Sequence, residues 1–114
     1  MDELQGIVRF TFHTGMVDEF KRLSAECLAI VRAKDVGTLQ YDTYFNGDES
    51  QAIVLERFRD SDALILHGRN MAPLMDPIMA TADVSGELLG NPNDELRAQL
   101  TGSPVGLFAL YQAL

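Results

Sequence analysis

The sequence has one cysteine, two histidines, no tryptophan and few cations. A lone Cys27 excludes an intrachain disulfide and a cysteine-built zinc cluster. Nine Lys and Arg stand against 17 Asp and Glu, a formal net charge of −8. That balance argues against a nucleic-acid or anionic-membrane surface, because both need clustered cations. No apolar run approaches the roughly 18 residues of a membrane helix. The opening segment, MDELQGIVRF, lacks the basic-then-apolar order of a secretory signal. The expectation is a soluble, cytoplasmic protein with neither nucleic acid nor membrane as partner. Repeats, low-complexity stretches and linkers are also missing, so residues 1–114 are expected to form one domain.

What is present is enough apolar material, 46% of residues, to build a core. A domain this small keeps a large surface for its volume, and dimerisation is one way to bury more of it.

Hydrophobic periodicity orders the chain. Gly6 to His13 alternates, with Val8, Phe10 and Phe12 on one face, and reads as a strand. Thr14 is placed to cap a helix, with Asp18 and Glu19 in its favourable first turn. Val17, Phe20, Leu23 and Cys27 recur at helical spacing, and Gly37 lies just beyond the end. A second strand is expected over Thr38–Phe45, with Leu39, Tyr41, Thr43 and Phe45 on one face and Tyr44 on the other. Asn46-Gly47 signals a tight hairpin, since both residues tolerate positive φ.

A third strand spans Gln51–Phe58, with Ala52, Val54, Glu56 and Phe58 pointing one way. Both faces of this hairpin carry bulky apolar groups. Such a sheet tends to be covered on both sides, here by helices on one and a partner subunit on the other. Asp60 or Ser61 caps a second helix that carries His67. Pro73 and Pro77 predict an irregular segment after it, with a short turn of helix at Met75–Met79. Thr81–Leu89 reads as a fourth strand, Asp94–Leu100 as a short helix, and Val105–Tyr111 as a last strand. The order is β-α-β-β-α-β, the ferredoxin-like α+β arrangement, plus a C-terminal short helix and strand that extend the sheet or reach a second subunit.

Several features together resemble the antibiotic biosynthesis monooxygenase family of dimeric α+β barrel proteins. They are an acidic or small residue ahead of Gly37, the aromatic run Tyr41 to Phe45, Glu56 late in its strand, and Asp60-Ser61-Asp62-Ala63-Leu64 followed by His67. The resemblance covers nearly the whole chain. It implies a homodimer whose sheets pack face to face, with a pocket between sheet and helices in each subunit. It also implies a cofactor-independent monooxygenase that oxidises a quinol or phenolic aromatic with O2, needing no cofactor. The alternative is a non-catalytic small-molecule binding or sensing module on the same barrel. The absence of tryptophan departs from the family's haem-degrading branch, whose Asn-Trp-His set is incomplete here, and from its aromatic-polyketide branch. His67 carries over, and so does Glu56.

His67 is therefore the candidate acid/base, since an imidazole exchanges protons near neutral pH. Its structural reading is a histidine bonded to the sheet or to Glu56, tying down the helix. Glu56 could orient His67, accept a proton, or pair with Arg9 or Arg69. Tyr41, Tyr44, Asn70, Met71 and Met75 are the expected ligand contacts. Met71, Met75 and Met79 recur every four residues, a flexible thioether lining that suits a flat apolar ligand or ordinary packing. His13 reads as a strand-end surface residue, and Cys27 as a buried inert thiol. No metal-ligand spacing links the carboxylates.

Overall fold

A computed structural model describes residues 2–114. Strands β1 (Leu4–Phe12), β2 (Thr38–Phe45), β3 (Gln51–Phe58), β4 (Ala82–Leu89) and β5 (Val105–Phe108) form one sheet in the order β2-β3-β1-β4-β5. Strand β1 pairs antiparallel with both β3 and β4, and β2 pairs antiparallel with β3. Helices α1 (Val17–Lys34) and α2 (Ser61–Met79) connect the strands, and α3 (Asp94–Leu100) precedes β5. This is the ferredoxin-like α+β fold. The C-terminal addition extends the sheet, with β5 pairing parallel to β4.

Alternation decides what each sheet face does. Leu4 and Phe10 of β1, Ala52, Val54 and Phe58 of β3, and Leu88 of β4 are buried on the helix side. Phe20 of α1 closes against Phe10 and Phe12, with ring centroids 4.9 and 4.8 Å away. Such pairs add to the roughly 1.5–3 kcal/mol that full burial of one large apolar side chain supplies. Among the described residues, no helix covers the other face. It leaves Ile53 38%, Tyr44 53% and Phe108 56% exposed.

Four local expectations are corrected. Helix α1 begins at Val17 rather than after Thr14, and Met16 at its N-cap makes no side-chain capping bond. The chain first turns through Gly15 at φ +78, which is incompatible with helix. Helix α2 runs unbroken through Pro73 and Pro77 to Met79. Both prolines are exposed and four residues apart, so they share the solvent face, where water can satisfy the carbonyls left without an N–H. The hairpin is a five-residue loop, 46–50, rather than a two-residue turn. There Glu49, not Gly47, takes positive φ, while Asn46 Oδ1 accepts from Gln51 N. The last strand stops at Phe108, leaving Tyr111 95% exposed.

One irregularity matters for the site. Thr38 pairs with Phe58 but Gln40 pairs with Arg57, so Leu39 is an extra residue in β2. This bulge breaks the face shared with Tyr41 that alternation predicts for Leu39, and leaves Leu39 48% exposed.

Candidate active site

The buried core on the helix side is divided. One cluster centres on Phe10, Phe20, Ala52, Val54 and Ala82, the other on Leu4, Leu88 and Leu96. Between them lies a half-open cavity of about 290 Å³, bounded by the sheet and α2. Two glycines, Gly6 and Gly86, sit on its sheet side. Paired against Leu88 and Val8, they leave the sheet without side chains there, so the two clusters do not meet. The walls are mostly apolar, and Met71, Met75 and Met79 all contribute from α2. The methionine spacing thus lines a cavity that the two prolines do not interrupt.

Three polar side chains of the lining lie together, Tyr41 from β2, Glu56 from β3 and His67 from α2, while Glu87 of β4, also in the lining, gives its carboxylate to Arg9. Tyr41 and Glu56 are cross-strand partners, which fixes their common face. His67 reaches them because α2 starts where Asp60 caps it, accepting from Ala63 N at 2.9 Å. The imidazole packs between the rings of Phe58 and Tyr41, centroids 5.2 and 5.5 Å away.

The residue that organises this group was not singled out from the sequence. Asp35, at the end of α1, accepts a bond from His67 Nδ1 at 2.5 Å. The same carboxylate accepts from Asn70 Nδ2 at 2.7 Å and from Thr38 Oγ1 at 3.1 Å. Its side chain is only 1% exposed. Asn70 and Thr38 both donate to it, and an ionised carboxylate can only accept, so the bond to His67 is made with the proton on Nδ1. That fixes the other nitrogen: Nε2 faces Glu56 Oε1 at 3.4 Å. His67 is held between two carboxylates, one on each ring nitrogen. A signal for Asp35 was present, since a carboxylate at a helix C-terminus opposes the helix dipole and needs another reason to be there.

Burial pushes the Glu56 carboxyl above the ordinary carboxylate range; His67 pulls it back in part, and Asp35 adds to the rise. Burial likewise raises the Tyr41 phenol, with the Cys27 thiol beside it and the carboxylates of Glu56 and Asp35 contributing. Tyr41 is therefore a neutral hydroxyl, available as a donor. The Cys27 thiol is raised mainly by burial, matching the inert reading. A proton between Glu56 and Nε2 has two acceptors, and the pair can take one from a bound molecule and hold it out of water.

The remaining site expectations separate. Tyr41, Glu56, His67, Met71 and Met75 converge on the cavity. Tyr44 does not: three residues after Tyr41, it falls on the opposite, helix-free face. Asn70 also stays outside the lining, because its amide anchors Asp35. Arg9 pairs with Glu87 rather than Glu56. His13 is an exposed strand-end residue beside Asp83. Among the described residues, no group of three or more His, Cys, Asp or Glu is arranged to hold a metal ion. No described helix is long and apolar enough to cross a membrane.

No protein-family profile and no curated protein matches the chain. Solved structures do. MupZ from Pseudomonas fluorescens is 24% identical, with 100% of this chain and 94% of that one covered at a TM-score of 0.88. SnoaB from Streptomyces nogalater, a cofactor-independent oxygenase, is 21% identical over 82% of this chain and 96% of its own, with a TM-score of 0.67. A Caulobacter crescentus protein described as a candidate antibiotic biosynthesis monooxygenase is 21% identical over 81% and 92%, with a TM-score of 0.70. The fold is thus the one found in antibiotic biosynthesis monooxygenase-like proteins. The match to MupZ takes in α3 and β5 as well.

Proposed function

We propose that this protein is a cofactor-independent monooxygenase acting on a quinol or phenolic aromatic, with His67 and Glu56 as its acid/base pair. The observation that carries this reading is the Asp35–His67–Glu56 array opening onto a mostly apolar cavity. A proton-accepting pair in an apolar site suits a substrate that is acidic at one atom and flat and greasy elsewhere. The oxygenase likeness of SnoaB and the Caulobacter protein supports the same class.

The chemistry needs no external reductant. Nε2, or Glu56 through it, takes the proton of an acidic O–H or ring C–H, leaving a resonance-stabilised anion. The Tyr41 hydroxyl donates to the oxygen on which charge develops. The anion gives electrons to O2, and a new C–O bond forms at the carbon that carried the charge. When that carbon is a ring CH2, loss of water from the peroxide gives a carbonyl. The balance is CH2 + O2 → C=O + H2O, with the substrate as sole reductant. Asp35 touches no substrate; it is a positioning residue that fixes the ring and its tautomer.

The working unit in this reading is a homodimer. Its interface is the helix-free sheet face, where Ile53, Tyr44 and Phe108 form apolar surface without cover.

The test is oxygen uptake by the purified protein with a panel of anthrones and quinols. Wild type is expected to consume O2, and His67→Ala to lose at least about 10²-fold. Equal uptake by both removes His67 from the chemistry. Binding without uptake by wild type assigns the cavity to a non-catalytic binding module.

A further inference from the structure

The glycines of α2 and its surroundings serve different ends, and one serves neither backbone nor packing. At Gly37 a β-carbon would lie 2.4 Å from Ala63 Cβ, so the loop can approach α2 only without a side chain. At Gly90, φ is +122, a backbone setting that other residues rarely adopt. Gly68 has neither reason. It lies inside α2 with ordinary helical dihedrals, and a β-carbon there would meet nothing beyond its own helix within 4 Å. A mid-helix glycine costs roughly 0.5–1 kcal/mol relative to alanine. The helix bears that cost at a position where the fold has room for a side chain.

The space that Gly68 leaves lies where the cavity meets solvent, as do the exposed lining residues Met75 and Met79 further along α2. Gly68 lines the cavity and is at the same time solvent-exposed. One turn earlier on the same helix face, Leu64 packs into the cluster that includes Leu100 of α3 and Val105 of β5. At Gly68 that contact ends. Leu100 and Val105 continue as cavity wall. The C-terminal extension thus supplies cavity wall beside both positions, and of the two only Gly68 is exposed to solvent. His67, the preceding residue in the chain, directs its imidazole to the polar end.

We propose that Gly68 is a specificity-determining residue: its missing side chain is the entrance to the cavity, and the width left there sets the size of ring system admitted. This rests on the reading of the cavity as a ligand site, but not on turnover. The experiment is therefore binding, not oxygen uptake. Wild type, Gly68→Ala and Gly68→Leu are compared by thermal melting, and by titration and stopped-flow with 1-naphthol (two fused rings) and anthrone (three). Gly68→Ala is expected to melt higher than wild type while binding both probes. Gly68→Leu is expected to bind anthrone about tenfold or more weakly and slowly, with less than about threefold change for 1-naphthol. A lower melting temperature for Gly68→Ala would place the glycine in the service of the fold and overturn the inference. So would unchanged or equal effects of Gly68→Leu on both probes. Failure of wild type to bind either probe would remove both this inference and the reading beneath it. Binding of both without oxygen consumption would remove only the monooxygenase reading.

Discussion

Asp35 and His67 stand 32 positions apart in the chain and are joined by a 2.5 Å hydrogen bond. Neither lies on the sheet. The loop after α1 and the middle of α2 meet over it, and the bond makes His67 a fixed imidazole. Replacing Asp35 by Asn tests this. The bond to Nδ1 then lacks its charged acceptor, and the proton can move to Nε2. Activity is expected to fall by roughly 10²–10⁴-fold with substrate binding little changed. The readout is kcat against KM in oxygen uptake, with the imidazole tautomer followed by NMR. A loss confined to KM would assign Asp35 to substrate contact instead.

Glu56 makes stability depend on pH with an unusual sign. Its folded-state carboxyl titrates above the ordinary value of 4.5, so between that value and the raised one the folded protein binds more protons than the unfolded chain. This contribution is fully present below 4.5 and is lost as pH rises through the window, then stays constant. Glu56→Gln removes the buried charge. Its melting temperature is expected to exceed wild type by several degrees at about pH 8 and to converge with it towards pH 4. Parallel melting curves across that range would contradict the assignment.

The phenol of Tyr41 can be separated from its ring. Tyr41→Phe keeps the packing against His67 and removes the donor. The expected stability cost is about 1 kcal/mol, the typical net worth of one buried hydroxyl. The expected loss of turnover is larger, about 10²-fold, if the hydroxyl stabilises the developing oxyanion. Chemical denaturation and steady-state oxygen uptake measure the two independently.

The unbroken course of α2 predicts a stabilising change. Pro73→Ala restores an N–H to the helix interior at an exposed position. Helix propensity favours alanine by about 3 kcal/mol, offset in part by the greater entropy of the unfolded chain, so a net gain of about 1–2 kcal/mol is expected. A kink or melting of the helix beyond Arg69 in the wild-type protein would reverse the sign, and circular dichroism with thermal melting reports either outcome.

The uncovered sheet face predicts association. Wild type is expected to scatter light as a dimer, and Ile53→Asp as a monomer with its secondary structure retained. A monomeric wild type would instead leave the apolar groups around Ile53 facing water.

The reach of the sequence follows physical range. Strands β2 and β3 and helix α3 have their expected bounds, because alternation and capping are local properties. Pro73 and Pro77 misled because the cost of a proline depends on which way it faces, and that is set by tertiary packing. Asn46-Gly47 misled because the Lys21–Glu49 ion pair and the bonds of Asn46 support a longer loop. His67 and Glu56 were accessible as residue types in a familiar order. Asp35 showed only as a carboxylate set against the helix dipole; its task was hidden, because its partners Thr38, His67 and Asn70 are assembled only in the folded chain. Asn70 and Tyr44 stand outside the cavity lining, Asn70 because its amide holds Asp35 and Tyr44 because it falls on the opposite sheet face.

The bulge at Leu39 has a consequence for how the chain tolerates change. Strict alternation would put Thr38 and Tyr41 on opposite faces of the sheet, since they are an odd number of residues apart. The extra residue turns both inward, Thr38 to Asp35 and Tyr41 to the cavity. Leu39 itself is half exposed, so many side chains should serve there equally well. Deletion should be tolerated too. A one-codon loss leaves Thr38 and Tyr41 two positions apart, so a regular strand would still turn both inward and keep their pairings with Phe58 and Glu56. Neither the identity of Leu39 nor the extra length it adds is needed to hold the two side chains on one face.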